Sequence, residues 1–165
     1  MGIFFKKRMI NLSKSSGCFT IVFNKDGNVL LAKRKDYPVW DFPGGTLEKE
    51  ESIEQCAIRE TKEETGYIIK IKKKVGEYYQ PQYDDMQHIF LGELKGGKPI
   101  KDGPETEKVK WFSPNRLPLF MIPNRRKQLS KYLSYKDILI QEAITVSPMR
   151  TTLLKIFFKT FSKVL

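Results

Sequence analysis

The chain is poor in the residues that mark several common protein classes. Two cysteines in 165 residues, Cys18 and Cys56, are too few for a secreted disulfide scaffold. No apolar run approaches the ~20 residues of a membrane-spanning helix. Gly 11 and Pro 9 are ordinary, which excludes collagen-like and proline-rich chains. There is no internal repeat and no low-complexity tract. The start, Met1 to Arg8, puts its apolar residues before its charges, the reverse of a secretory leader, and Lys6 stands where myristoylation favours Ser or Thr. These absences point to a cytoplasmic protein.

What is present suffices for one domain with short appendages. Hydrophobic residues make up 40% and charged residues 30%, so a core is expected without a staple. Acidic residues are scarce at the ends. Residues 1–16 hold four basic and no acidic residues, and 121–165 hold nine basic and two acidic, while 17–120 hold 17 of each. The net charge of +11 therefore lies wholly in the ends. A basic balance suits nucleic acid, an anionic membrane or an anionic substrate.

Residues 18–23 and 29–32 read as strands joined by the turn Asn24-Lys25-Asp26-Gly27-Asn28. Residues 52–65 read as a helix with Ser52 as N-cap, Gln55 completing a capping box and Gly66 as the stop. Strands follow at 67–71, 86–94 and 109–112, with Asp84-Asp85 in a loop and a helical turn at Ser113-Pro114. Leu129, Tyr132, Leu133, Leu139, Ile140, Ala143 and Ile144 predict a second helix over 124–144. The order implies an α/β sandwich of helices around a central mixed sheet.

The first helix carries the chemistry. At ~100° per residue, Ile53, Cys56 and Ala57 share a face with Glu60, Glu63 and Glu64. Three carboxylates on a body-facing stripe repel one another and cost several kcal/mol each to bury uncompensated. Basic side chains or a hard divalent cation would relieve them, Mg²⁺ first and Mn²⁺ next. Mg²⁺ also recruits phosphates. The plainer reading is a solvated helix end with an Arg59–Glu63 pair. Just upstream, Pro43-Gly44-Gly45 lets backbone approach a partner closely.

The string Gly45-x5-Glu51-x7-Arg59-Glu60-Thr61-x-Glu63-Glu64-x-Gly66-Tyr67 resembles the signature box of the Nudix hydrolases. Every fixed glycine, glutamate and arginine is present; Thr61 and Tyr67 replace aliphatic packing residues. The resemblance extends over roughly residues 17–120. It implies a Nudix-type α/β/α sandwich that hydrolyses, with Mg²⁺ or Mn²⁺, the pyrophosphate bond of a nucleoside diphosphate linked to another moiety. It implies Glu60 and Glu64 as metal ligands, with Glu63 and the carbonyl of Gly45 or Gly44 beside them. Glu51 and Arg59 would orient the carboxylates. The general base is left open among Glu63, Glu60 and the loop acids Glu105, Glu107, Asp84 and Asp85, with Glu107 favoured among the loop acids.

Arg34, with Lys33 or Lys35, is a candidate phosphate contact. Trp40, Phe42, Tyr78, Tyr79 and Tyr83 are candidate base stackers or core residues. By the resemblance, Pro81 points to ADP-ribose and Tyr83 to dinucleoside polyphosphates, while a nucleoside triphosphate fits equally. His88 reads as a packed histidine, and Cys18 and Cys56 as buried thiols. The alternative function is a non-catalytic module binding a nucleotide or RNA. The expected divisions are a basic arm over 1–16, a catalytic domain over 17–146 and a basic amphipathic segment over 147–165. That last segment suits docking, a homodimer or an anionic membrane. Arg125-Arg126-Lys127 reads as a solvated helix start or as a contact for substrate or RNA phosphate.

Overall fold

The computed structural model describes residues 15–145; the N-terminal arm up to residue 14 and the segment 147–165 lie outside the described residues. Strand β1 (Ser15–Phe23) turns through Asn24–Asn28 into β2 (Val29–Arg34). The Asn24 side chain accepts from the backbone of Asp26 and Asn28, which builds the expected turn. Two short strands follow, β3 (Trp40–Asp41) and β4 (Gly44–Thr46), then helix α1 (Ile53–Thr65). Strands β5 (Tyr67–Gln80), β6 (Asp85–Gly97) and β7 (Thr106–Phe112), helix α2 (Pro123–Ser134) and strand β8 (Ile140–Ala143) complete the chain.

The sheet runs β3-β2-β1-β6-β5-β8, with β4 on β1 and β7 on β2. It is mixed: β1–β6 and β5–β8 are parallel, the other pairs antiparallel. Strand β1 is buried on both faces, as a central strand covered by two helices must be. Cys18, with Cys56, Ala57 and Phe90, packs under α1, while Phe19, Ile21 and Phe23 join Leu129 and Tyr132 under α2. Thr20 and Thr61 share a 2.7 Å hydrogen bond that pins α1 to β1. The Ser52–Gln55 capping box forms, and Gly66 closes α1 with φ 78°.

Three expectations are corrected. The second helix ends at Ser134, not 144; the chain turns at 135–139 and lays Ile140–Ala143 beside Gly76–Tyr79 of β5. The apolar spacing continued past the helix because Ile140 and Ile144 reach the same core from a strand. Strand β5 runs to Gln80 rather than Ile71, since bulges beside Lys73 and Gly76 absorb the charged stretch. Asp85 opens β6 and only Asp84 stays in the preceding turn, because Asp85 pairs with Gln80 and Ser15; the turn expected at Ser113-Pro114 forms, closed by the Arg116 N–H on the Ser113 carbonyl.

His88, on β6 between β1 and β5, is 6% exposed, with Nδ1 3.3 Å from Lys74 Nζ and Glu77 at 4.0 Å. Burial, with Lys74 adding to it, pushes its pKa down to about 4 from 6.5. The unfolded chain therefore takes up a proton that the folded chain refuses. Stability is complete above pH ~6.5 and falls by on the order of 3 kcal/mol as pH drops towards ~4. Urea unfolding at pH 7 and pH 4.5 measures this, and His88→Gln is expected to flatten the slope. An equal slope in the variant would assign the acid sensitivity to other groups.

Candidate active site

Strand β4 runs beside the second half of α1, and the site lies between them. Gly44 and Gly45 pair with Phe19 and Cys18 of β1, which brings their α-carbons against the helix. A Cβ at Gly45 would lie 2.4 Å from Oε1 of Glu60. One at Gly44 would lie 2.2 Å from the Cys18 carbonyl, and its φ of 157° suits glycine. The Gly44 N–H donates to Oε2 of Glu64 at 2.9 Å. Close approach thus requires both glycines, Gly45 against the Glu60 carboxylate and Gly44 against β1, with the Gly44 N–H turned to Glu64.

Arg59 organises the rest. Its Nε and Nη2 donate to the two oxygens of Glu51 at 3.0 and 2.7 Å. Its Nη1 donates to Glu60 at 2.9 Å and to Glu63 at 3.1 Å. The fork holds the Glu51 carboxyl down at about 2. Glu60 behaves oppositely: burial raises its pKa, with Arg59 opposing and Glu63 and Glu105 adding to the rise. Glu64 is raised further, to about 8, by burial and then by Asp41 and Glu60, against the Gly44 N–H and Arg34. Glu63 is 59% exposed and reaches inward only through Arg59.

Among the described residues, no three acidic, histidine or cysteine side chains form a complete metal cage as they stand. Glu60 and Glu64 nevertheless fit a hard cation. They stand one turn apart, both desolvated and both above the usual carboxylate range. The hydrogen bond recorded for Glu64 comes from a backbone amide and brings no positive charge. A divalent ion with few protein oxygens and the balance from water and phosphate matches such a pair. The Gly45 carbonyl takes a long 3.9 Å contact from Cys56 Sγ.

The other expected residues are placed as follows. Arg34, at the end of β2, forks onto Asp36 at 2.8 and 2.7 Å, and its charge is felt by Glu64. Glu107, expected in a loop, lies in β7, where strand pairing with β2 sets it beside Lys33 in an ion pair at 2.9 Å; the charge of Glu105 adds to the rise at Glu60. Asp84 accepts from the Tyr79 hydroxyl, and Asp85 accepts from Ser15. Tyr83 stands in the β5–β6 turn, 56% exposed. Phe42 and Tyr78 are core, and Trp40 meets Phe112 edge-on at 4.8 Å. Cys18 and Cys56 are buried, and burial raises both thiols, Cys18 to about 11.

One group was misread from the sequence. Arg125 is 3% exposed and bonds Asp41, Gln87 and Gln128, so its reading as a solvated residue or a phosphate contact is corrected. Helical spacing carried the signal, since Arg125, Leu129 and Tyr132 lie on one face.

The site is thus a glycine pair on β4 beside an arginine-braced acidic helix, on a mixed sheet that lies between two helices. The chain belongs to the NUDIX domain family, whose model matches residues 14–133. A Bacillus subtilis (strain 168) protein named "Putative 8-oxo-dGTP diphosphatase" is 48% identical over 118 residues, 72% of this chain and 79% of that one. An ADP-ribose pyrophosphatase of Methanocaldococcus jannaschii is 33% identical over 123 residues, 70% of this chain and 72% of that one. The crystal structure of a Bacillus halodurans MutT protein superimposes with a TM-score of 0.66 at 25% identity, covering 81% of this chain and 91% of that chain.

Gly45→Ala tests the glycine contact. The new methyl must displace the Glu60 carboxylate, whose end is flexible, so stability should change by less than about 1 kcal/mol. The divalent-metal concentration for half-maximal turnover should rise about tenfold or more. A metal titration with a parallel thermal melt checks both.

Proposed function

We propose that the protein hydrolyses the pyrophosphate bond of a nucleoside triphosphate, using Mg²⁺ held by Glu60 and Glu64. The observation that carries this reading is Glu64: a desolvated carboxylate fixed by the Gly44 N–H, one turn from a second desolvated carboxylate. When bound, the ion supplies charge neutralisation for the diphosphate and acidification of the attacking water. The chain's own residues do the rest. Arg59, locked to Glu51, orients Glu60 and Glu63. Glu63, partly in solvent and beside Arg59, is our candidate to take the water's proton, with Glu105, whose charge adds to the rise at Glu60, the candidate among the loop acids. Arg34 can leave Asp36 for a substrate phosphate, because both partners are substantially exposed. The Gly45 carbonyl remains a candidate further ligand.

The triphosphate assignment is supported by the 48% identity to the Bacillus subtilis relative, against 33% for the ADP-ribose enzyme. The test is product release from dGTP, 8-oxo-dGTP, ADP-ribose, dinucleoside polyphosphates and NAD-capped RNA, with Mg²⁺ and with EDTA. Metal-dependent turnover of the triphosphates supports the assignment. Preferential cleavage of ADP-ribose or RNA reassigns the substrate. Tight binding without turnover on any member would leave a nucleotide- or RNA-binding module.

A further inference from the structure

Arg125 sits in the first turn of α2, where a cation opposes the helix dipole. It is nevertheless almost fully enclosed. Its Nε donates to Oδ1 of Asp41 at 2.7 Å, and its Nη1 to Oε1 of Gln87 at 2.8 Å and of Gln128 at 2.9 Å. Its guanidinium lies 3.5 Å from the centroid of the Phe19 ring. A buried pair of this kind adds little net stability over apolar packing, because desolvation offsets the attraction. What it does supply is position.

Two routes lead from Arg125 to Gly44. The first is polar. The Asp41 oxygen that receives Arg125 also accepts the Phe42 N–H at 2.7 Å, fixing the entry into Phe42-Pro43-Gly44. The Pro43 carbonyl then accepts the Thr20 N–H at 2.9 Å. The second is steric. The Phe19 ring, with Arg125 on its face, abuts Gly44 so closely that a Cβ there would come within 2.5 Å of it. Both routes end at the residue whose N–H holds Glu64.

We propose that Arg125 is a positioning residue for the carboxylate centre: through Asp41 and Phe19 it fixes Gly44, and through the Gly44 N–H it fixes Glu64. The proposal rests on the reading of Glu64 as a metal ligand. It makes α2, on the opposite face of the sheet, part of the support of the metal site.

Mn²⁺ binding to the metal-free protein, followed by the EPR signal of free Mn²⁺, reads this without turnover. Arg125→Met keeps the apolar stem over Phe19 and is expected to weaken Mn²⁺ roughly tenfold, the size usual for supporting partners. Arg125→Lys returns the charge without the fork and should recover part of that loss. In turnover assays kcat should fall while KM for the nucleotide stays within about threefold. In the Glu64→Gln background, Arg125→Met should weaken Mn²⁺ no further, since the contact it supports is already lost. Wild-type Mn²⁺ affinity in Arg125→Met, or losses that add in the double variant, would overturn the proposal. If Arg125→Met does not fold, Asp41→Asn, which keeps an oxygen for the Phe42 N–H, is judged by the same two criteria. Failure of the wild-type protein itself to bind Mn²⁺ would instead remove the metal reading beneath it.

Discussion

Glu64→Gln should lower kcat at saturating Mg²⁺ by about a thousandfold or more, equivalent to ~4 kcal/mol of transition-state stabilisation. The same change should leave the metal-free fold intact and, at high pH, make it more stable. Burial lifts the Glu64 carboxyl to about 8 from 4.5, so the folded chain holds a proton that the unfolded chain releases. That contribution is complete below pH ~4.5 and is lost as pH rises through about 8. Glutamine stays neutral throughout. Glu64 keeps some exposure, so the expected gain at pH 8.5 is only about 1–2 kcal/mol. Urea unfolding in EDTA at pH 5.5 and 8.5 measures it alongside the kinetics. A variant that loses both activity and stability at high pH would show Glu64 to be a structural carboxylate.

Arg59→Met should have the second largest effect. One guanidinium serves Glu51, Glu60 and Glu63, so its loss frees three carboxylates, two of them about one turn apart on α1 and one from the loop before it. Turnover is expected to fall about 100-fold, with a weakened response to Mg²⁺. Arg59→Lys should rescue little. A single ammonium cannot reproduce the paired bonds to Glu51 while also reaching Glu60 and Glu63. Glu51→Gln provides the complementary test, because it removes the charge that anchors Arg59 and leaves the residues of α1 unchanged. A steady-state comparison of the three variants separates loss of the brace from loss of charge. Full activity in Arg59→Lys would show that charge alone is required.

The local parts of this site could be read directly. Ser52, Gln55 and Gly66 mark the ends of α1 by rules acting within a few residues, and the helix forms between them. Helical periodicity then places Glu60 and Glu64 on the face that carries Cys56 and Ala57. The errors lie where distant segments compete for the chain. Residues 140–143 have apolar spacing compatible with either a helix or a strand, and the free edge of β5 at Gly76–Tyr79 decided for a strand. Arg125 precedes two other basic residues, Arg126 and Lys127, and only the arrival of Asp41, Gln87 and Phe19 makes it an interior residue.

The sequence by itself determined the acidic helix, its two caps and the inward face that carries Glu60 and Glu64, while Glu63, expected on the same stripe, is largely exposed. Each is set by periodicity or capping over one or two turns of chain. Tertiary structure decided which carboxylate meets which glycine, that the Glu105 charge reaches Glu60, and that Arg125 is enclosed by Asp41, Gln87, Gln128 and Phe19. Those outcomes depend on strand pairing and desolvation between segments far apart in the chain. Such energies arise only when the sheet assembles, so no local pattern of residues encodes them visibly.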